Sequence, residues 1–299
     1  MQSQNEIRQQ VTNDIVAALE AGTPPWRKPW AMSVNAGSPT NAASKRRYSG
    51  INPLLLEMAS QRMGFRSRHW ATYRQWQQLG CQVKRRPSDV PSGKWGTTIV
   101  FYAQAKATTV NKDGHEEERV FPILRSYSVF NADQVDRAER FQVEEVQAEP
   151  VDFIDYSPAD EAIAAVPADI RFGGDRAFYQ RGTDFVQMPH KHQFREESEF
   201  YGTAFHELAH WSECRLGWDG SCALGELRAE IASCYALAEL KVPMASDMEN
   251  HHAYLANWLE AMRGDPRLIF QIASAASKAT DYLLSFSQEP AAVAEKAMA

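Results

Sequence analysis

The chain has 299 residues, room for one large domain or two ordinary ones, and its 44% hydrophobic and 23% charged residues are the balance of a soluble globular protein, which excludes wholesale disorder. No apolar run approaches the about 18 residues of a membrane span, so no membrane partner is expected. The net charge of −6 hides a split, +9 over residues 1–130 and −15 over residues 131–299, so one half is suited to a polyanion although the whole chain is acidic.

In chain order, residues 4–21 carry Ile7, Val11, Ile15, Val16 and Leu19 near helical spacing, and Gly22 with Pro24-Pro25 ends that amphipathic helix. This N-terminus lacks the basic start and apolar centre of a signal peptide. The four cysteines show no CxxC pairing, so a cytoplasmic protein with free thiols is expected. Residues 22–50, rich in Pro, Gly, Ser and Asn, read as a long loop. Helices follow from Pro53 to about Met63 and from Thr72 to Leu79, the second stopped by Gly80. The runs 97–103 and 120–130 flank the turn sequence Lys112-Asp113-Gly114 and read as an antiparallel hairpin, with Pro122 pointing to an edge strand.

This half is basic and aromatic together. Residues 27–86 hold 12 Lys/Arg against one acid, Glu57, and five of the eight tryptophans precede residue 100. Flat rings interleaved with cations suit single-stranded nucleic acid, whose bases stack while Lys and Arg follow the phosphates; no recognition helix or zinc finger for duplex reading is evident. The candidates are Trp26, Arg27, Lys28, Trp30, Lys45, Arg46, Arg47, Tyr48, Arg68, Trp70, Arg74, Trp76, Lys84 and Arg85.

Residues 131–150 are acidic with little core patterning, which predicts a first domain over 1–135, a linker over 136–150 and a second domain over 151–299. The second half reads as a short strand at 185–189 followed by helices, with an Ala-rich frayed tail from 290. Its central motif is His206-Glu207-Leu208-Ala209-His210, an HExxH pattern. On a helix both imidazoles share a face and reach one ion, while Glu207 stands one step round as a general base. Zn²⁺ suits two imidazoles and a carboxylate with one position left open, and other divalent ions such as Mn²⁺ are compatible. Ser198 offers the N-cap of this helix.

The third ligand belongs on the apolar run 225–238, whose core face is Leu227, Ile231, Cys234 and Ala238. Glu230 lies deep in that run, where a carboxylate needs a partner, and is expected as the ligand. Glu226, one turn earlier, is the alternative or an orienting residue for a histidine. His190 and His192 flank the end of the predicted strand, where a substrate chain could align, and read as surface residues, as do His251 and His252. Cys214, Cys222 and Cys234 read as buried packing. Tyr201, Tyr235 and Tyr254 each offer a hydroxyl to a developing oxyanion, and the sequence does not choose among them.

Several segments in register resemble ArdC-type antirestriction proteins: Pro25-Trp26-Arg27-Lys28-Pro29-Trp30, the stretch Tyr48-Ser49-Gly50-Ile51-Asn52-Pro53, Trp70-Ala71-Thr72-Tyr73 and Gly96–Tyr102 for an N-terminal domain, then the HExxH helix and Glu226–Ile231 for a zincin-type domain. The resemblance spans roughly 5–135 and 150–260 and adds Asn52 to the DNA-binding candidates. It implies an α+β fold: a single-strand-binding domain with a hairpin, then a mainly helical, SprT/Spartan-like metallopeptidase domain with a small sheet. It also implies a plasmid-borne protein that shelters conjugated DNA from restriction and acts on an unidentified protein substrate or restriction component. The alternative is a DNA-coating protein whose metal domain is structural or docks a partner. Two segments depart from the family pattern: 85–96 replaces a Gly- and Lys-rich run, and Gly225-Glu226 stands where paired acids are common.

Overall fold

A computed structural model describes residues 3–22, 24–26, 37–110, 116–142, 156–243 and 252–287, with backbone alone for 103–110, 116–122 and 252–253. Helix α1 (Gln4–Glu20) opens on a capping box in which the Glu6 amide donates to Ser3 Oγ and the Ser3 amide to Glu6 Oε2. Its buried stripe is the one legible in the sequence, Ile7, Val11, Ile15, Val16 and Leu19. A two-residue strand β1 (Thr40–Asn41) precedes α2 (Asn52–Met63), which has Pro53 in its first turn and ends at Gly64 with φ 70°, a left-handed cap that favours glycine. Strand β2 (His69–Thr72) leads directly into α3 (Tyr73–Gln78), and β3 (Gln82–Val83) follows.

The expected hairpin is a long two-stranded ribbon, β4 (Thr97–Val110) against β5 (Glu116–Asn131). The sheet order is β1-β2-β5-β4, so β5 is interior where Val129–Asn131 meet β2. Pro122 nevertheless has an edge-like setting. It lies opposite Gln104, beyond the residues of β5 that β2 reaches, and its missing N–H breaks no described ladder.

The expected linker is partly folded. Strand β6 (Val135–Asp136) pairs with β3, and Ala138 and Phe141 pack with Trp76 and Val83; residues 143–150 of that linker lie outside the described residues. In the second half α4 (Ser157–Ala165) precedes a three-stranded sheet, β7 (Asp169–Phe172), β8 (Phe178–Gln180) and β9 (Phe185–Met188), in the order β7-β9-β8. Then come α5 (Glu197–Arg215), α6 (Cys222–Glu239), α7 (His252–Gly264) and α8 (Leu268–Ser285). The fold is α+β with its helices concentrated in the second half, as expected. Helix α5 starts before Ser198, which is buried inside the first turn rather than capping it. The frayed tail expected from 290 lies outside the described residues.

The main core unites what the charge pattern divides. Ile7, Ile15, Leu19 and Trp26 from the first half pack with Ile231, Trp258, Met262 and Ile272 from the second. Polar bonds seal the same seam: Thr12 Oγ1 donates to Pro266 O at 3.0 Å, the Gly50 amide to Ser277 Oγ at 2.9 Å, and Tyr235 Oη to Gly50 O at 2.9 Å. Charge is a surface property, so an abrupt change in its sign carries no information on where the buried apolar faces meet.

Candidate metal centre and nucleic-acid interface

Helix α5 is buried along Phe205, Leu208, Ala209 and Ser212, which leaves His206 and His210 on one partly open face a turn apart. Their Nε2 atoms are 3.2 Å from each other. Helix α6 lies alongside α5 and lays its first turns over this pair. The Glu226 carboxylate meets both rings, Oε2 at 3.4 Å from His206 Nε2 and Oε1 at 3.5 Å from His210 Nε2. One donor atom from each of His206, His210 and Glu226 lies within 4.8 Å of the other two, a spacing that fits a single divalent ion. Two neutral imidazoles and a carboxylate are donors suited to Zn²⁺, and Mn²⁺ is accommodated through the carboxylate and solvent.

The far sides of both rings face carboxylates. Glu213 Oε1 is 2.9 Å from His210 Nδ1, and Glu230 Oε2 is 4.0 Å from His206 Nδ1. The 2.9 Å contact with Glu213 orients the His210 ring with Nδ1 on the carboxylate and Nε2 toward His206, whereas Glu230 is a neighbour of His206 beyond hydrogen-bond distance. Of the two α6 acids it is Glu226, not the expected Glu230, whose carboxylate meets both Nε2 atoms, while Glu230, only 1% exposed, stands on the Nδ1 side of His206. The burial argument located Glu230 correctly in the core, but an imidazole edge supplies a neighbour there as well as an ion could.

Glu213 was missed in the sequence. Its signal was its position three residues after His210 on the same helix face. The departure at Gly225 also has a physical reason, since a Cβ there would stand 3.0 Å from Glu213 Oε1. Arg228, fully buried, donates from its guanidinium to Ala209 O at 2.9 Å and Ser212 Oγ at 2.8 Å, clamping α6 onto the histidine helix. Of the three tyrosines, Tyr201 donates to Asp160 and Tyr235 to Gly50 O, whereas the Tyr254 phenol is held above its ordinary pKa first by the nearby Glu226 charge.

Burial opposes charge on His210, but Glu213 and Glu226 outweigh it and push the imidazole up to about 10; Glu226 in turn is held well below the usual carboxylate range despite its own burial. A ligand imidazole must be neutral. Loading the site at neutral pH is thus expected to release a proton, and apparent metal affinity should fall as the pH is lowered below about 10. Calorimetry in buffers of different ionisation enthalpy measures this, and binding with no proton release would count against it.

The remaining histidine and cysteine readings divide. His190 and His192 are exposed and stack on each other, as expected, but β9 is the central strand, so a substrate strand would have to add at β7 or β8. His251 and the His252 side chain lie outside the described residues. Cys214 and Cys222 are exposed, contrary to expectation, while Cys81 and Cys234 are buried, and all four are free thiols.

Five DNA-binding candidates, Trp26, Arg47, Tyr48, Arg68 and Trp70, converge on one cavity of about 410 Å³ between the halves. Trp26 and Trp70 are buried, and Trp76 is buried in a separate core. Arg47 is half-buried and spans the seam to Asp281 and to Glu239 at 3.6 Å. Burial pushes the Tyr48 phenol up to about 12, and Arg68 Nε is buried with no hydrogen-bond partner among the described residues. Asn52 has a structural role, exchanging two 2.9 Å bonds with the Val100 backbone. Lys45, Arg46, Arg74, Lys84 and Arg85 are exposed, and Arg27, Lys28 and Trp30 lie outside the described residues.

Residues 5–130 match the family of the N-terminal domain of anti-restriction factor ArdC, and residues 157–276 match zincin-like metallopeptidases. An uncharacterised protein, y4eC, of Sinorhizobium fredii is 33% identical over 94% of this chain and 92% of its own length. A DNA primase TraC of Escherichia coli is 33% identical over 95% of this chain, which spans only 27% of that primase. Two crystal structures of the antirestriction ArdC protein from plasmid R388 are 34% identical and cover 94% of this chain and 98% of theirs; the metal-free one has a TM-score of 0.76 and the Mn(II)-bound one 0.70.

Proposed function

The chain belongs to the ArdC antirestriction family, and from that premise we propose that it is a single-strand DNA-binding metallopeptidase that shelters incoming DNA from restriction, with a divalent ion as its cofactor. The observation that carries the reading is the convergence within 4.8 Å of two imidazole nitrogens from α5, the helix that also presents Glu207, and the Glu226 carboxylate from α6. A divalent ion held by His206, His210 and Glu226 supplies Lewis acidity for attack on a peptide carbonyl. The Mn(II) form of the R388 protein supports a divalent ion in this family's fold.

The chain's own residues do the rest. Glu207 takes the proton of the attacking water and returns it to the leaving amine. Glu213 holds the His210 ring by its Nδ1 edge, and the buried Glu230 carboxylate stands near the Nδ1 edge of His206, so both rings have an acid behind them.

The DNA reading is supported by the basic first half and by the cavity at the seam. Arg68 Nε there, buried and unbonded among the described residues, would find its partner in a phosphate oxygen. The full chain is expected to bind single-stranded oligonucleotides more tightly than duplex. Log affinity should fall with log salt by about 0.7 for each phosphate neutralised. Fluorescence anisotropy across a salt series measures both, alongside cleavage of a DNA-bound protein with and without chelator. Equal affinity for duplex, or cleavage indifferent to chelator, would overturn the reading.

A further inference from the structure

Trp70 and Trp76, 1% and 0% exposed, are not free to meet a base, yet other large rings stand open on the same half. Phe101 is 61% exposed and Tyr127 43%, both at the base of the β4–β5 ribbon. Ile99 lies opposite Tyr127 and Phe101 opposite Arg125. Because side chains alternate along a strand, these four residues share one face of the ribbon.

The inner end of that face is core, with Val129 buried against Leu56 and Trp70, and Ile99 packing on the same cluster. Those two residues anchor the ribbon. Tyr127 stands level with Ile99, at the outer limit of the anchored part, and Phe101 one step farther out; both rings are nonetheless exposed, so burial gives no account of them. Diagonal neighbours on a sheet are about 7–8 Å apart. That is about twice the ~3.4 Å rise of a stacked strand, a spacing suited to two successive bases of a stretched one.

Charge favours the same occupant. Arg125 lies opposite Phe101 and next to Tyr127 on the same face, Arg66 and Arg68 precede β2 beside β5, and exposed Lys45 and Arg46 follow β1. The three acids Glu116–Glu118 are placed at the far tip, in register with Thr108–Val110. Positive potential therefore rises from the tip toward the base, where the rings are.

We propose that Phe101 and Tyr127 form a stacking platform for consecutive bases of single-stranded DNA, with Arg125 on the phosphate between them. The assignment rests on the single-strand reading above and locates its base contacts. The test uses the full chain and a labelled oligothymidylate. The double variant Phe101→Ala/Tyr127→Ala should lose at least ~20-fold in affinity with an unchanged salt slope, because stacking carries no counterion release. Arg125→Ala should lower the slope by about 0.7, and the ring-preserving Phe101→Tyr should bind within about threefold of the parent chain.

If the parent chain binds and the double variant binds equally, the platform is overturned while the DNA reading stands. If the parent chain does not bind, the DNA reading fails and takes the platform with it. Sedimentation separates a last case, because β4 is an edge strand among the described residues. A dimer dissolved by the double variant at unchanged DNA affinity would overturn the platform in favour of a second copy of this chain.

Discussion

Glu226→Ala is expected to empty the metal site. The substitution removes the one carboxylate that meets both Nε2 atoms, at 3.4 and 3.5 Å, and two imidazoles alone leave a divalent ion half coordinated. Glu230→Ala and Glu213→Ala leave the three donors in place and remove only what steadies the rings. They should retain the ion with about 10- to 100-fold weaker affinity. Metal content after dialysis against a graded chelator series separates the two classes. Glu226→Gln, which keeps the side-chain volume and one oxygen, guards against loss of fold. Full occupancy in Glu226→Ala with an empty site in Glu230→Ala would return the ligand role to Glu230.

The second large effect is expected at Glu207. Glu207→Gln keeps shape and hydrogen bonding and removes only the ability to accept a proton, so it should lower any peptide hydrolysis by about 10²- to 10⁴-fold. Metal content should stay at the parental level, because the set formed by His206, His210 and Glu226 does not include this side chain. Single-strand affinity should be unchanged as well. A variant that loses its metal would remove Glu207 from the base role. Protection from restriction that survives in cells carrying Glu207→Gln would assign that phenotype to DNA coating rather than to proteolysis.

Much of the local structure was legible because local rules decide it. The α1 stripe, the Gly64 and Gly80 stops and the strand–turn–strand run each depend on residues within a few positions of one another. The same holds for the histidine pair, since a spacing of four on a helix leaves both rings on one face wherever the helix is placed.

What was misread depends on which surface another element covers. Helix α6 could have crossed α5 at Glu226 or at Glu230, and periodicity describes both equally well. The crossing is set by packing, with Arg228 fixed to Ala209 O and Ser212, and by Gly225, which leaves room for Glu213. Trp70 and Trp76 carry the composition of a stacking surface but fill cores, whereas Phe101 and Tyr127, unremarked as sequence, stand in solvent.

The sequence by itself determined the chemistry available to this protein: two imidazoles and a general base on one helix, acids a turn apart on the next, and a basic half joined to an acidic one. Only the tertiary structure decided which acid meets the two imidazoles, which large rings stand in solvent, and that the two halves share one core through α1, α7 and α8. The physical reason is range. Backbone hydrogen bonding and side-chain periodicity act over a few residues, while burial is settled by contacts between segments hundreds of residues apart, such as Thr12 with Pro266.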